Sequence, residues 1–341
     1  MIVQQLFPKR ILVQRTGAIG DVLLATAILP FLAQQNPGYK IDFETAFKAV
    51  VENNCYIDRI ILPGKADVSE YNRVIDLNYV YEKKPHLSIL GAFANKVNGN
   101  ENEMRLFYNP SDAQKTIANL ILSKYGLNGK KLIAIQSGAS FWLKIVDPKF
   151  LESILNELNL AYSISFVLLG SANDPLISGT VDLRGKCTIA ESAAIIQQCK
   201  GFIGHDSALI HFAKSMSIPV AAFFGNTDPL KRIFPDKNDR LFISQAQCRF
   251  CYHRRKSPVI ISFCEKQTFF WRILDLAIQC ALNCRPLQKI RFIRYATLKI
   301  YSFQERIRNG KKIALCMKNI ESQKVFDRFS TWFQDIGIER K

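Results

Sequence analysis

Residues 10–35, RILVQRTGAIGDVLLATAILPFLAQQ, run from a short apolar segment through two glycines into a helical pattern. This order is typical of a buried strand, a tight turn and a helix in an α/β protein. Asp21 lies at the mouth of that helix, directly after Gly17 and Gly20. A carboxylate there accepts unpaired backbone N–H groups and complements the helix dipole, so an N-cap is one interpretation of Asp21. A catalytic role is the other.

Similar units continue along the chain. Four apolar runs fall in the first 80 residues: RILVQ, KIDFETA, DRIILP and RVIDL. Four more follow, KLIAIQSG, SISFVLLGS, GFIGHDS and PVAAFFG, with amphipathic stretches such as DPKFLESILNELN and AESAAIIQQCK between them. The sequence therefore predicts an α/β fold with two parallel sheets. Ligands of such sheets bind beyond the C-terminal ends of the strands, so two facing halves imply an interdomain cleft.

The composition indicates an anionic partner. The chain has 46 Lys and Arg against 29 Asp and Glu, a net charge of +17, which suits nucleotide phosphate, nucleic acid or an acidic membrane surface. The opening MIVQQLFPKR is too short and polar for a signal peptide, and no apolar run approaches the roughly 18 residues of a membrane span. Nine cysteines without secretory features predict reduced thiols in the cytoplasm.

Two further strand-to-helix junctions carry polar residues. In IAIQSGASFWLKIVDPKF, Ser140 and Lys144 follow a strand, where small residues let an anion approach the backbone and an ammonium group neutralises it. The same residues are also ordinary in a solvated turn. In GFIGHDSALIHFAKS, Asp206 and Ser207 begin a helix and His211 lies one turn further on. These residues fit either a helix cap beside a packed histidine or a binding site.

In their order and character, these segments resemble glycosyltransferase family 9, the lipopolysaccharide heptosyltransferases. GAIGDVLLAT is similar to that family's N-terminal Gly-Asp motif, and IAIQSGASFWLKIVDPKF to its donor-phosphate segment. GHDSALIHFAKSMSIPVAAFFGNTDP resembles its Asp-Ser/Thr-Gly-x-x-His turn with the Phe-Gly and Thr-Asp-Pro that follow. VLLGSANDP and DLRGKCTIAESAAII fall where the family has a Gly-rich turn and a Leu-x-Gly helix start. The resemblance covers about residues 10–270.

The resemblance implies a GT-B fold, in which two Rossmann-like domains face an interdomain cleft. The N-terminal domain would bind the acceptor and the C-terminal domain a nucleotide sugar, for inverting transfer with no cofactor required for catalysis. By matching positions, Asp21 would be the general base, beside an acceptor-side glycine turn at Gly17 and Gly20. The implied donor-binding residues are Ser140, Lys144, Asp174, Asp206, Ser207 and His211.

The resemblance also assigns roles within that donor-binding set. Asp206 would organise the turn, Asp174 would approach the ribose and the other four would surround the diphosphate. Two positions depart from the family pattern. Ala208 stands where the family has glycine, which adds a methyl group beside the phosphate, and Asp174 is shorter than the family's glutamate. The identity of the donor depends on both departures.

The residue types suit this reaction on chemical grounds. A carboxylate within hydrogen-bond reach can take the proton of an acceptor hydroxyl while its oxygen attacks the anomeric carbon. The leaving diphosphate gathers negative charge, which Lys144, the helix N-terminus at Ser207 and a protonated His211 would stabilise. No Asp-x-Asp triplet is present to hold a metal on the diphosphate. We therefore predict that Asp21 is the base, with capping as a second role.

These inferences predict a cytoplasmic glycosyltransferase that moves heptose from ADP-heptose to the inner core of a lipopolysaccharide precursor. Its acceptor would be an anionic glycolipid, with peripheral contact at the inner leaflet. One alternative is a family 9 enzyme with another nucleotide sugar or a protein acceptor, and another is a catalytically idle homologue. A nucleic-acid-binding protein with a cysteine-metal module is a third alternative. The basic segments carry no recognisable nucleic-acid motif, so we expect no nucleic-acid partner.

The cysteines suggest a separate hypothesis. CRFCYHRRKSPVIISFCEK contains Cys248 and Cys251 in a Cys-x-x-Cys pair, with Cys264 beyond. A structural zinc or iron ion would need a fourth thiolate, from Cys280 or Cys284. The irregular spacing of the later cysteines leaves unligated thiols as the alternative.

The last segment departs from the sheet pattern. We set the first domain at residues 1–128, the second at 129–284 and a basic helical tail at 285–341, whose 14 Lys and Arg against 5 Asp and Glu supply +9 of the net charge. Two amphipathic helices are predicted there. Their apolar residues are Leu287, Ile290, Ile293, Ile300 and Phe303 in one, and Val325, Phe329, Trp332 and Phe333 in the other. Either the helices pack on the core, or their charge attracts an anionic leaflet or acceptor.

Overall fold

A computed structural model describes residues 9–246, 249–250, 252–253, 317, 320 and 322–341. Two parallel sheets form there, so the predicted α/β architecture is confirmed. Each of the eight predicted strands lies inside its quoted stretch. Among the described residues, no helix is both long enough and apolar enough to cross a bilayer.

The first sheet has the strand order β3-β2-β1-β4, and every neighbouring pair is parallel. Its elements are β1 (Arg10–Gln14), α1 (Ile19–Ala25), α2 (Leu29–Gln35), β2 (Lys40–Glu44), α3 (Lys48–Val51), β3 (Arg59–Ile61), β4 (Arg73–Asp76) and α4 (Ile89–Lys96). The central β1 has a fully buried apolar middle, as a strand covered by helices on both faces requires. Helix α5 (Asp112–Lys124) then leads to the second sheet.

The second sheet has the order β10-β9-β8-β5-β6-β7, again with parallel pairs throughout. This is the strand order of a dinucleotide-binding fold. Its elements are β5 (Leu132–Gln136), α6 (Pro148–Ala161), β6 (Ser165–Leu169), β7 (Val181–Asp182), α7 (Ile189–Gln197), β8 (Gly201–His205), α8 (Ala208–Ser215), β9 (Val220–Phe224) and β10 (Arg240–Ile243). The edge strands β7 and β10 were not predicted, because one has two residues and the other is only half-buried.

The second predicted tail helix is present as α9 (Ser322–Asp335) and packs against α6 and β10. Its four predicted apolar residues are all buried. The indole Nε1–H of Trp332 donates to the Asn238 carbonyl at 2.8 Å, and the rings of Phe329 and Phe242 stack 4.6 Å apart. For this helix, packing on the core is therefore confirmed. The predicted helix around Leu287 to Phe303 lies outside the described residues.

Helices α1 and α8 form a contact between the two domains. A Cβ on Gly20 would lie 2.8 Å from His211 Cδ2 and 3.4 Å from Ala208 Cα, so only glycine permits this approach. Helix α5 packs on α7, which attaches the end of the predicted first domain to the surface of the second. The boundary at residue 128 stays a prediction.

Candidate active site

Both sheets reverse their strand order where candidate residues lie. The reversal falls between β1 and β4 in the first sheet and between β5 and β8 in the second. In parallel α/β sheets, a ligand crevice opens at such a point, beyond the carboxyl ends of the strands. Asp21 follows β1, while Lys144 follows β5 and Asp206 follows β8. The predicted residues therefore lie where a ligand site is expected.

Asp21 is the third residue of α1, so it is not the N-cap. The N-cap is Ala18, whose backbone N–H donates to Asp21 Oδ2 at 3.3 Å. Two side chains hold the carboxylate: Arg15 Nη2 donates to Oδ2 at 2.7 Å and the Tyr81 hydroxyl donates to Oδ1 at 3.0 Å. Asp21 thus stabilises the helix start while 18% of its side chain stays exposed.

Arg15 is a site residue that the sequence analysis did not single out. Its side chain is 3% exposed, and it also donates to the Leu77 carbonyl and to Glu82 Oε1, both at 2.9 Å. Burial disfavours its charge, but Asp21 and Glu82 outweigh burial and raise the pKa of Arg15 above its ordinary value. Arg15 is therefore a fixed cation that orients the Asp21 carboxylate.

A buried ionic cluster lies beyond the carboxyl ends of β5 and β8. Asp206 is 4% exposed, with Lys144 Nζ 2.8 Å and Arg232 Nε 3.7 Å from its Oδ2. The ring of His211 approaches Oδ1 at 3.9 Å. Burial works against the carboxylate, but the neighbouring cations outweigh it and hold the pKa of Asp206 below its usual range. Two cations against one carboxylate leave one positive charge in excess, which favours an anionic ligand.

The two histidines of this region are neutral. Burial lowers the pKa of His205 to about 3, and the His205 Nε2 accepts the Val146 N–H at 3.0 Å. Burial also lowers the pKa of His211 to about 4, despite the carboxylates of Asp206 and Asp21 nearby. The expectation of a protonated His211 is therefore wrong for the free protein at neutral pH. Its Nδ1 has no hydrogen-bond partner in the described part of the chain.

The lowered pKa values of His205 and His211 predict that the folded state loses stability in acid. Their folded-state pKa values, about 3 for His205 and about 4 for His211, lie below the unfolded value of about 6.5. The unfolded chain then binds more protons, so stability present above pH 6.5 is lost as the pH falls toward 4. At pH 5 we expect each histidine to lower the free energy of unfolding by about 2 kcal/mol.

Urea denaturation at pH 7, 6 and 5 measures this loss. His211→Gln is expected to remove about a third of the difference between pH 7 and pH 5, because burial also lowers the pKa of His253 to about 4. The exposed His86 provides the matched control, since His86→Gln should leave the difference unchanged. Equal free energies of unfolding at pH 7 and pH 5 in the unmodified chain would contradict the prediction.

Arg232 connects the ionic cluster to Asp21. Its guanidinium lies 4.4 Å from the ring centroid of Tyr252 and 5.2 Å from that of Tyr81, the residue that donates to Asp21. Burial opposes the charge, yet Asp206 and the tyrosines raise the pKa of Arg232 above its ordinary value. Sequence reasoning missed Arg232, although it follows the quoted Thr-Asp-Pro, because no pattern separates it from a solvated arginine.

The remaining predicted residues occupy different places. Ser207 is the N-cap of α8, but its hydroxyl donates to Gln136 Oε1 at 2.8 Å instead of capping the helix. Ser140 is exposed in the loop after β5. Asp174 lies beyond β6, where its carboxylate accepts the Ser171 N–H at 3.0 Å. A Cβ on Gly138 would overlap that carboxylate, so glycine is required there.

The two glycines of the predicted turn, Gly17 and Gly20, contact different domains. Gly17 lies in the turn, where a Cβ would be 3.2 Å from the Phe47 ring of the first domain. Gly20 lies inside α1 against the second domain. Only Gly20 therefore borders the ionic cluster.

The metal hypothesis rests on cysteines that are not described. Cys248, Cys251 and Cys264 lie outside the described residues. Within the described ranges, no group of three or more His, Cys, Asp or Glu residues could hold a metal ion. Cys55, Cys187 and Cys199 are free thiols.

Comparisons with known proteins point to one family. Residues 128–259 match the sequence profile of Glycosyltransferase family 9 (heptosyltransferase). The chain is 24% identical over 133 residues to lipooligosaccharide heptosyltransferase 2 of Haemophilus influenzae, a match that spans 35% of this chain and 38% of that relative.

Solved structures extend the likeness to almost the whole chain. The ADP-heptose LPS heptosyltransferase II of E. coli superposes with a TM-score of 0.62 at 13% identity, over 96% of this chain and 99% of that one. A family 9 glycosyltransferase of Veillonella parvula gives 0.57 at 17% identity, over 96% and 97%. The iron-containing dodecameric glycosyltransferase TibC of enterotoxigenic E. coli gives 0.60 at 12% identity, over 77% and 70%. The predicted GT-B fold is confirmed by these likenesses.

Proposed function

Since residues 128–259 carry a glycosyltransferase family 9 domain, we propose that the chain transfers heptose from ADP-heptose to the inner core of a lipopolysaccharide precursor. One observation carries the proposal. The Asp21 carboxylate, in the first turn of α1, and the buried Lys144–Asp206–Arg232 cluster, beyond the second sheet, are joined through Tyr81. A proton acceptor and a cationic anion site are the two parts that inverting transfer from a nucleotide sugar requires.

Asp21 acts as the general base on the acceptor side. Its carboxylate takes the proton of the acceptor hydroxyl while that oxygen bonds to the anomeric carbon and the bond to the diphosphate breaks. Burial, followed by the nearby Asp21 charge, raises the pKa of Tyr81 well above its usual value, so its hydroxyl stays a donor. Together with Arg15, Tyr81 fixes the carboxylate at the geometry that proton transfer needs.

Lys144 and Arg232 stabilise the leaving diphosphate. Lys144 is the more accessible cation, with 19% of its side chain exposed against 5% for Arg232. Helix α8 points its uncapped N-terminus toward the same end of the sheet, and backbone N–H groups there favour an anion. The departing diphosphate gains negative charge, which the two fixed cations and the helix dipole stabilise. We therefore assign no cofactor to the chemical step.

Calorimetry of the unmodified chain with ADP-heptose, GDP-mannose and UDP-glucose tests the donor. Binding of ADP-heptose alone supports the proposal, whereas preference for another sugar nucleotide supports the alternative donor. The anionic glycolipid acceptor and the contact with the inner leaflet belong to the same proposal. The basic residues 285–316 that would attract such a surface lie outside the described residues.

Lys144→Ala is expected to weaken ADP-heptose binding by about 1.5 to 3 kcal/mol, since a hydrogen bond to a charged group is lost. Isothermal calorimetry measures the loss. Lys149→Ala, five residues further on and exposed, is the matched control and should bind as the unmodified chain does. Unchanged affinity in Lys144→Ala would remove Lys144 from the donor site.

A further inference from the structure

Asn226 combines deep burial with unused hydrogen-bonding groups. It lies two residues beyond β9 and is 1% exposed, yet neither its Oδ1 nor its Nδ2 has a partner among the described residues. Its backbone is held in place, because its carbonyl accepts the Tyr252 N–H at 3.0 Å. Buried polar groups are normally hydrogen-bonded, so an amide without a partner among the described residues indicates a site for a ligand.

The position of Asn226 along the sheet edge suggests which part of a ligand it meets. Strands β9, β8, β5 and β6 are neighbours in that order, and their C-terminal ends lead to Asn226, Asp206, Lys144 and Asp174. Adjacent strands lie about 4.8 Å apart, so these ends span about 14 Å. The cationic cluster occupies the middle of the row, where the proposed function places the diphosphate. The nucleoside and the sugar then extend toward opposite ends.

The position of the general base indicates which end of this row of residues binds the sugar. Asp21 must be near the anomeric carbon, and it is linked through Tyr81 to Arg232. The Arg232 guanidinium also lies 4.4 Å from the ring centroid of Tyr252, whose N–H donates to the Asn226 carbonyl at 3.0 Å. The base therefore lies toward the β9 end of the row, the same end as Asn226. Asp174, beyond β6, is left at the end for the nucleoside.

We propose that Asn226 binds hydroxyl groups of the transferred sugar and thereby contributes to donor selection. The inference rests on the proposed function. An amide both donates and accepts, as a hydroxyl does, whereas a phosphate only accepts and already faces Lys144 and Arg232. A site built to hydrogen-bond a substrate hydroxyl also discriminates against ligands that lack it.

The test compares ADP with ADP-heptose in the Asn226→Leu variant. Leucine is close to asparagine in size but removes both amide atoms. We expect the dissociation constant of ADP to change less than about twofold and that of ADP-heptose to rise about tenfold, because the lost hydrogen bonds involve the sugar alone. The unfolding midpoint should not fall, since the amide makes no hydrogen bond with the described residues of the free protein. Asn226→Ala is the second variant, with the same expected change in the ratio.

Ser330→Ala is the matched control. The Ser330 hydroxyl is also buried and without a partner among the described residues, but it lies on α9, and both affinities should stay unchanged. Equal weakening of ADP and ADP-heptose, or no weakening of either, in the Asn226 variants would overturn the inference. So would an unmodified chain that binds ADP as tightly as ADP-heptose. An unmodified chain that binds neither ligand would defeat the proposed function together with the inference.

Discussion

Asp21→Asn is expected to lower the rate of sugar transfer by about 10²- to 10⁴-fold, the usual contribution of a general base. Asparagine keeps the size of the side chain and one oxygen that accepts hydrogen bonds, but it cannot take a proton at neutral pH. Donor binding should stay near its original value, because Lys144, Asp206 and Arg232 belong to the second domain. A transfer assay with ADP-heptose and a heptose-free inner-core acceptor measures the rate, and calorimetry measures the binding.

The same substitution also removes one ion pair, so its effect on stability needs its own control. Arg15 Nη2 contacts Asp21 at 2.7 Å and Glu82 at 2.9 Å, and the two acids are similarly exposed, at 18% and 19%. Glu82→Gln thus removes a comparable partner from Arg15 without touching the base. Both variants should lose about 1 kcal/mol of stability, while transfer in Glu82→Gln falls by less than about tenfold. Near-normal transfer in Asp21→Asn would move the base to another residue of the cleft.

Asp206→Asn is expected to lower the free energy of unfolding by about 3–5 kcal/mol. The substitution leaves Lys144 and Arg232 without the carboxylate that they share. Because the Arg232 side chain is only 5% exposed, water cannot replace the lost interaction with its charge. Urea denaturation at neutral pH measures the loss. The matched control is Asp236→Asn, which breaks a 2.7 Å ion pair with Lys214 at a carboxylate that is 54% exposed, and it should cost less than about 1 kcal/mol.

Binding of a nucleoside diphosphate should restore part of the stability that the Asp206→Asn variant loses. Its negative charge would occupy the region of the missing carboxylate, so the rise in unfolding temperature on adding ADP should be larger in the variant than in the unmodified chain. Similar stability of Asp206→Asn and Asp236→Asn would show that the cluster is not a coupled ionic unit.

The central strands were the most predictable part of the fold. RILVQ was predicted as a strand, and β1 spans the same residues, Arg10–Gln14, because a strand buried on both faces must be continuously apolar. The edge strands show a weaker hydrophobic pattern in the sequence. Strand β10 alternates poorly and is half-buried, and β7 is too short for any periodicity to appear.

Site residues were predictable where a motif follows a strand. Asp21, Lys144 and Asp206 were predicted in this way, and they follow β1, β5 and β8; their roles stay predictions. Arg15 and Tyr81 were not found, because their significance depends on contacts across 60 or more residues of sequence. The protonation of His211 was wrongly predicted for a related reason, since it is set by burial between two domains. Asn226 escaped notice because an amide without partners looks like any loop asparagine until its burial is known.

The packing of α9 sets the order in which the second domain can be completed during translation. Phe329, Trp332 and Phe333 fill its core, yet they follow the end of β10 at Ile243 by more than 80 residues. At 5–20 residues per second, the ribosome needs on the order of 10 s to synthesise that stretch. Until α9 has been synthesised, the apolar face that it covers lacks that helix, and apolar surface exposed during folding promotes aggregation.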